Sequence, residues 1–151
     1  MKKYELTSET KTIITEKGIV SVYRIKALVD ISEEVKAGDL GGWVESENNL
    51  LQSRSCWIFD DSVCYDNARI YGNAVLRNNS VCCEEAGLNG NAVIYGSYVK
   101  GKARVGVGSI VKGSTIGGTA EIFKSCVFNS DIESGKFKNV SVIKNNVWER
   151  N

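Results

Sequence analysis

A six-residue periodicity beginning at Ile58 constrains this chain more than any other feature, because so short a repeat has few ways to bury itself. Read in sixes, the segment runs IFDDSV, CYDNAR, IYGNAV, LRNNSV, CCEEAG, LNGNAV and IYGSYV. The first place is apolar: Ile58, Cys64, Ile70, Leu76, Cys82, Leu88 and Ile94. The fifth is small (Ser62, Ala68, Ala74, Ser80, Ala86, Ala92), with Tyr98 as the exception. The third and fourth are turn formers, as in Gly72-Asn73, Asn78-Asn79 and Gly90-Asn91. Side chains alternate faces along a strand, so the small residue and the apolar residue two places on both point inward. The next pair turns a corner, through left-handed backbone conformations that Gly and Asn adopt at least cost. Three such strands close a triangular coil of about 18 residues, whose equivalent positions stack along the axis. Ile70 then lies beneath Leu88, Leu76 beneath Ile94, and Cys64 beneath Cys82. The expected fold is all-β, a parallel β-helix over residues 51–151 whose core exists only because coils stack.

After Ser97 the spacing changes. Five-residue units at 98, 115 and 132 (YVKGK, TIGGT, IESGK) recur every 17 residues, as do Gly101, Gly118 and Gly135, and Ala103, Ala120 and Phe137. One corner of each later coil is expected to have lost a residue. The apolar run Val140, Val142, Ile143 and Val147 is expected to cap the far end. Residues 1–50 do not repeat and read as a small N-terminal β cap. Strands are expected at 4–6, 12–15 and 18–28, with a turn at Glu16-Lys17-Gly18 and Ile19, Ser21, Tyr23, Ile25 and Ala27 on one face. The glycine-rich stretch Lys36–Glu45 reads as a tight turn that seats Trp43 on the first coil. It lacks the Lys-Ser/Thr and the strand–loop–helix setting of a phosphate loop. Asp60-Asp61 reads as a solvated corner.

Lys plus Arg is 19 and Asp plus Glu is 18, so no global field points to nucleic acid or an acidic membrane. The charge is uneven: residues 1–90 carry 10 basic and 14 acidic side chains, residues 91–151 carry 9 and 4. This leaves a candidate basic surface at Lys100, Lys102, Arg104, Lys112 and Lys124. No apolar run is long enough for a membrane span, and the N-terminus turns polar too early for a signal peptide. Five cysteines without a C-x-x-C motif read as reduced thiols of a cytoplasmic protein. Cys64 and Cys82 are expected in the core, and Cys83 is expected outward as the most reactive thiol. The chain has no histidine, and neither a metal nor a cofactor site is expected.

The blocks Lys3–Lys11 (KYELTSETK), Tyr23–Leu28 and Val35–Ser46 (VKAGDLGGWVES), followed by repeats such as Asn67-Ala68-Arg69-Ile70-Tyr71, resemble a group of small prophage-encoded hexapeptide-repeat proteins. The resemblance covers most of the chain and implies a left-handed winding. It carries no settled biochemical activity. Hexapeptide-repeat acyltransferases typically use a histidine base, and related carbonic anhydrases hold zinc with three, so a histidine-free chain is expected not to be an enzyme. The leading expectation is a non-enzymatic phage or prophage protein. It would act as a rigid platform for a host or phage macromolecule, with inhibition of a bacterial defence system as one version. The alternatives are an acyltransferase-like or sugar- or nucleotide-binding protein with its site between subunits, and a self-assembling structural protein.

The outward place beside each apolar core residue is aliphatic on two faces: Val63 and Val81 on one, Val75, Val93, Ile110 and Val127 on another, with Tyr95 close by. Val99 and Ile116 are expected to continue the first column. The third face carries Arg69, Gly87, Arg104 and Glu121 there. Two stacked apolar columns call for a cover. A homo-oligomer, with a trimer favoured by analogy with hexapeptide-repeat proteins, is the simplest; the N-terminal strands folding back and a partner protein are the others. The absence of a regular aromatic ladder argues against nucleic acid.

Overall fold

A computed structural model describes residues 1–149, so the last two positions of the 51–151 segment lie outside the described residues. The architecture is the all-β parallel solenoid expected from the repeat, with three sheets of eight, seven and five strands. Face A carries the outward column Val63, Val81, Tyr98, Thr115 and Asp131. Face B carries Arg69, Gly87, Arg104, Glu121 and Lys136. Face C carries Trp57, Val75, Val93, Ile110, Cys126 and Ser141. The stacked pairs Ile70–Leu88, Leu76–Ile94 and Cys64–Cys82 stand as expected, every member fully buried.

The corners explain the repeat's third place. Asp60, Asp66, Asn78 and Glu84 have φ between 57 and 62°. Several corner side chains reach up one coil: Asp60 Oδ2 accepts from the Asn78 amide, Asp66 Oδ2 from that of Glu84, and Glu84 Oε1 from that of Gly101. Asp60-Asp61 is therefore built into the fold rather than merely solvated, and Asp61 also accepts from Arg24 and from the Trp43 indole.

The coils do not settle at 17 residues; they keep shortening. On face C the strand partners step from Val75 to Val93, then to Ile110, Cys126 and Ser141, offsets of 18, 17, 16 and 15. Two expectations fail for this reason. Val127 pairs with Val111 and points into the core, fully buried, while Cys126 takes the outward place. Phe137 pairs with Ile122 rather than following Ala120. On face A the lost residue puts Ser97 at the small inward position and Tyr98 outward, so Val99 and Ile116 are buried core residues instead of surface ones. The far end is closed on face C by an antiparallel pair, Val140–Ile143 with Asn146–Glu149.

The N-terminal segment forms one long hairpin, β1 (Tyr4–Thr15) and β2 (Gly18–Ala27), in place of three short strands. β3 (Leu40–Val44) joins β2 antiparallel and then pairs parallel with Val63–Cys64, so the cap is continuous with face A. The register slips between Leu6 and Thr10, and the two halves of the hairpin bury opposite faces. Tyr4, Ile25 and Ala27 enter the solenoid core, whereas Val22, with Ile13 and Val20 partly buried, packs on Trp43, Val63 and Val81. Of the residues expected to share one face, Ile25 and Ala27 are buried and Tyr23 is half-buried, whereas Ile19 and Ser21 are exposed.

Candidate functional site

The hairpin stands over face A, and a cleft of about 330 Å³ lies between its tip and the coils. Ile13, Ile14, Thr15, Glu16 and Lys17 form one wall; Val63, Val81, Tyr65, Cys83, Tyr98, Asp66, Glu84 and Lys100 form the other. An open groove continues along the corner between faces A and B, sharing Lys17, Asp66 and Glu84 and adding Glu45, Arg69 and Lys102. Lys17 and Glu84 meet at 3.3 Å where the two join, which ties the hairpin tip to the solenoid.

The cleft's back wall is apolar and its mouth is charged. Glu84 is held below the ordinary carboxylate range, first by the Gly101 amide it accepts from and then by Lys17, with burial opposing. Cys83 does not point into solvent. It is 7% exposed, its side chain is hydrogen-bonded with that of Tyr65, and burial pushes its thiol up to about 11. The expectation of a reactive Cys83 is corrected accordingly, since thiolate is the nucleophile. Burial also raises Tyr65. The cleft thus offers three carboxylates, two lysines and two phenols around an aliphatic floor. Among the described residues no group of three or more Cys, Asp or Glu side chains is placed to hold a metal ion.

The sequence-predicted surfaces are dispersed. Val63 and Val81 are covered by the hairpin, with Val63 7% exposed, so folding back of the N-terminal strands closes that column. Val75 and Val93 are half-buried on face C and Ile110 is exposed. Tyr95 stands beside this column, with Lys112 over its ring at 5.0 Å. The basic residues form no single patch: Lys100 lines the cleft, Lys102 the groove, Arg104 lies across Gly87 on face B, and Lys112 is on face C. Lys124 occupies a corner with φ of 49°. Trp43 is seated as expected. It is 4% exposed between Lys11 and Arg24, each about 4.4 Å or less from the ring centre, and its indole N–H donates to Asp61.

Sequence reading missed the cleft, because it forms between an unrepeated hairpin and the coils. The one local signal was Tyr98, the residue that broke the small-residue rule. None of the described helices is long and apolar enough to cross a membrane.

No profile of a known protein family matches the chain. It is similar to the uncharacterized acetyltransferase YdcK of Escherichia coli (strain K12), with 34% identity over 82 residues. The similarity takes in 52% of this chain and 24% of that protein, so the chain spans about a quarter of its relative's length. A relative named as an acetyltransferase overturns two expectations, that of a non-enzymatic phage interaction protein and that of no enzymatic activity. Lack of histidine removes one choice of general base; it does not remove acyl transfer, for which a carboxylate can take the proton.

Proposed function

We propose that this chain is an acyltransferase-like module which moves an acyl group from a thioester to a hydroxyl or amine acceptor. The observation that carries the reading is the similarity to a protein named as an acetyltransferase, over half of the present chain. The cleft is where this chemistry would be housed. Its aliphatic floor of Ile13, Val63 and Val81 suits an acyl chain, and Lys17 and Lys100 suit a phosphorylated thioester carrier. Glu84, ionised at neutral pH, is the candidate general base, with Asp66 beside it. It would take the acceptor's proton as the new C–O or C–N bond forms. The C–S bond then breaks, and the proton passes to the leaving thiolate.

The test is release of free thiol from acetyl-coenzyme A in the presence of small amines, amino sugars and alcohols. Turnover is expected with the wild type and a fall of roughly 100-fold in Glu84→Gln, with the variant still folded at the assay temperature. A wild-type protein that neither binds the thioester nor releases thiol would overturn the proposal. Face C is the surface proposed for self-association, since its Val75–Val93–Ile110 column is left open by the hairpin.

A further inference from the structure

The N-terminal strand is anchored by a lysine that is largely buried. Lys3 is 6% exposed, and its Nζ donates to the carbonyls of Ser53, Arg54 and Cys56 at 3.3, 3.1 and 2.8 Å. The same nitrogen lies 3.2 Å from Cys56 Sγ, and Cys56 is fully buried. Carbonyls of Leu51, Ser53 and Ile70 surround the sulfur at 3.5–3.8 Å. A nitrogen and a sulfur are therefore held at van der Waals contact, in a site with almost no water, by partners that fix both.

We propose that Lys3 and Cys56 form a peroxide-driven covalent cross-link that locks the N-terminal strand onto the first coil. The thiol reduces one peroxide, giving the sulfenic acid and one water; sulfur is oxidised by two electrons and the peroxide O–O bond breaks. Lys3 Nζ then attacks that sulfur. The S–N bond forms, the S–O bond breaks, hydroxide leaves as water, and the ammonium's spare proton goes to solvent. Sulfenic acids condense with nearby nitrogen in this way, and exclusion of competing thiols favours it here. Burial lowers the Lys3 pKa, which eases loss of the proton that the attack requires, while burial raises that of Cys56, which slows the first step. The cross-link is thus a response to sustained oxidant rather than a fast sensor, and a reducing thiol reverses it.

The reduced full-length protein is treated with hydrogen peroxide, denatured, capped with iodoacetamide and mapped by mass spectrometry. The expected result is a species lighter by two hydrogens in which the Lys3 and Cys56 peptides travel together until a thiol reductant separates them. A higher midpoint of thermal unfolding should accompany it, because the link closes a long loop. The same linked pair with one added oxygen, an S–O–N bridge made with a second peroxide, supports the site equally. Cys56 found only as sulfinic acid, untouched, or in a disulfide, with Lys3 free, overturns the proposal. Lys3→Arg should abolish the linked peptide; should that variant fail to fold, Cys56→Ser serves as the control and the wild-type map still decides.

Discussion

The small position of the repeat is not merely small. At the corner between faces C and A it is serine in successive coils: Ser62, Ser80, Ser97, Ser114 and Ser130, all buried. Each hydroxyl accepts from the backbone amide one coil further on: Ser62 from Ser80, Ser80 from Ser97, Ser97 from Ser114 and Ser114 from Ser130, at 3.0–3.1 Å. Ser130 ends the ladder by accepting from the Asn145 amide. Ser97→Ala should therefore cost about 1–3 kcal/mol by leaving the Ser114 N–H unpaired, read as a lower denaturant midpoint with an unchanged slope. Gly42 shows the opposite constraint. A Cβ there would meet the Ser62 carbonyl and the Ile58 side chain, and Gly42→Ala should cost about 1–3 kcal/mol by the same measurement. Cysteine labelling gives a third residue-scale result. Half-buried Cys126 should alkylate before Cys83 at neutral pH, and the rate at Cys83 should keep climbing as pH approaches 11.

Among the elements, the β1–β2 hairpin determines both the cleft and the state of face A. Its outer half is held by Val22 and Trp43 on Val63 and by the Lys17–Glu84 pair at the tip. Trp43→Ala removes the centre of that cluster and should cost about 3 kcal/mol or more. Amide exchange should quicken in residues 10–23 before it does in the coils. The tip is also pH-sensitive. Glu84 has a folded pKa below its unfolded value, so whatever stability it adds is present above the unfolded pKa and is lost as pH falls through the lowered one. The hairpin tip should loosen on acidification through that window, followed by exchange or by Trp43 fluorescence, and Lys17→Ala should show a weaker dependence.

Over the whole molecule, stability is set by neighbours along the axis. Ile94, stacked on Leu76 and beneath Val111, sits mid-array, whereas Val142 lies in the last coil. Ile94→Ala should cost about 2–5 kcal/mol and unfold the array as a unit. Val142→Ala should fray the last coil alone, a contrast that native-state hydrogen exchange resolves. The shortening of the coils from 18 residues to 15 narrows the solenoid toward its C-terminal end and brings Phe128 and Ile143 into the column of Tyr95 and Lys112 on face C.

Alternation of apolar and small residues at period six determined, by itself, the three-sheet solenoid and the stacking of Ile70 with Leu88 and Cys64 with Cys82. A strand has only two faces, and six residues allow one strand and one corner. The arginine and glycine column of face B was legible for the same reason. Where coils lose residues the pattern stops being decisive, because one deletion exchanges inward and outward places. Val99, Ile116 and Val127 fall outward by the six-residue count on that account, and only stacking against the coil below places them in the core. The hairpin's two-sided burial, the covering of Val63 and Val81, the cleft at Glu84 and the Lys3–Cys56 contact belong to tertiary structure alone. Each joins residues far apart in the chain whose spacing carries no period, and backbone geometry cannot announce such meetings in advance.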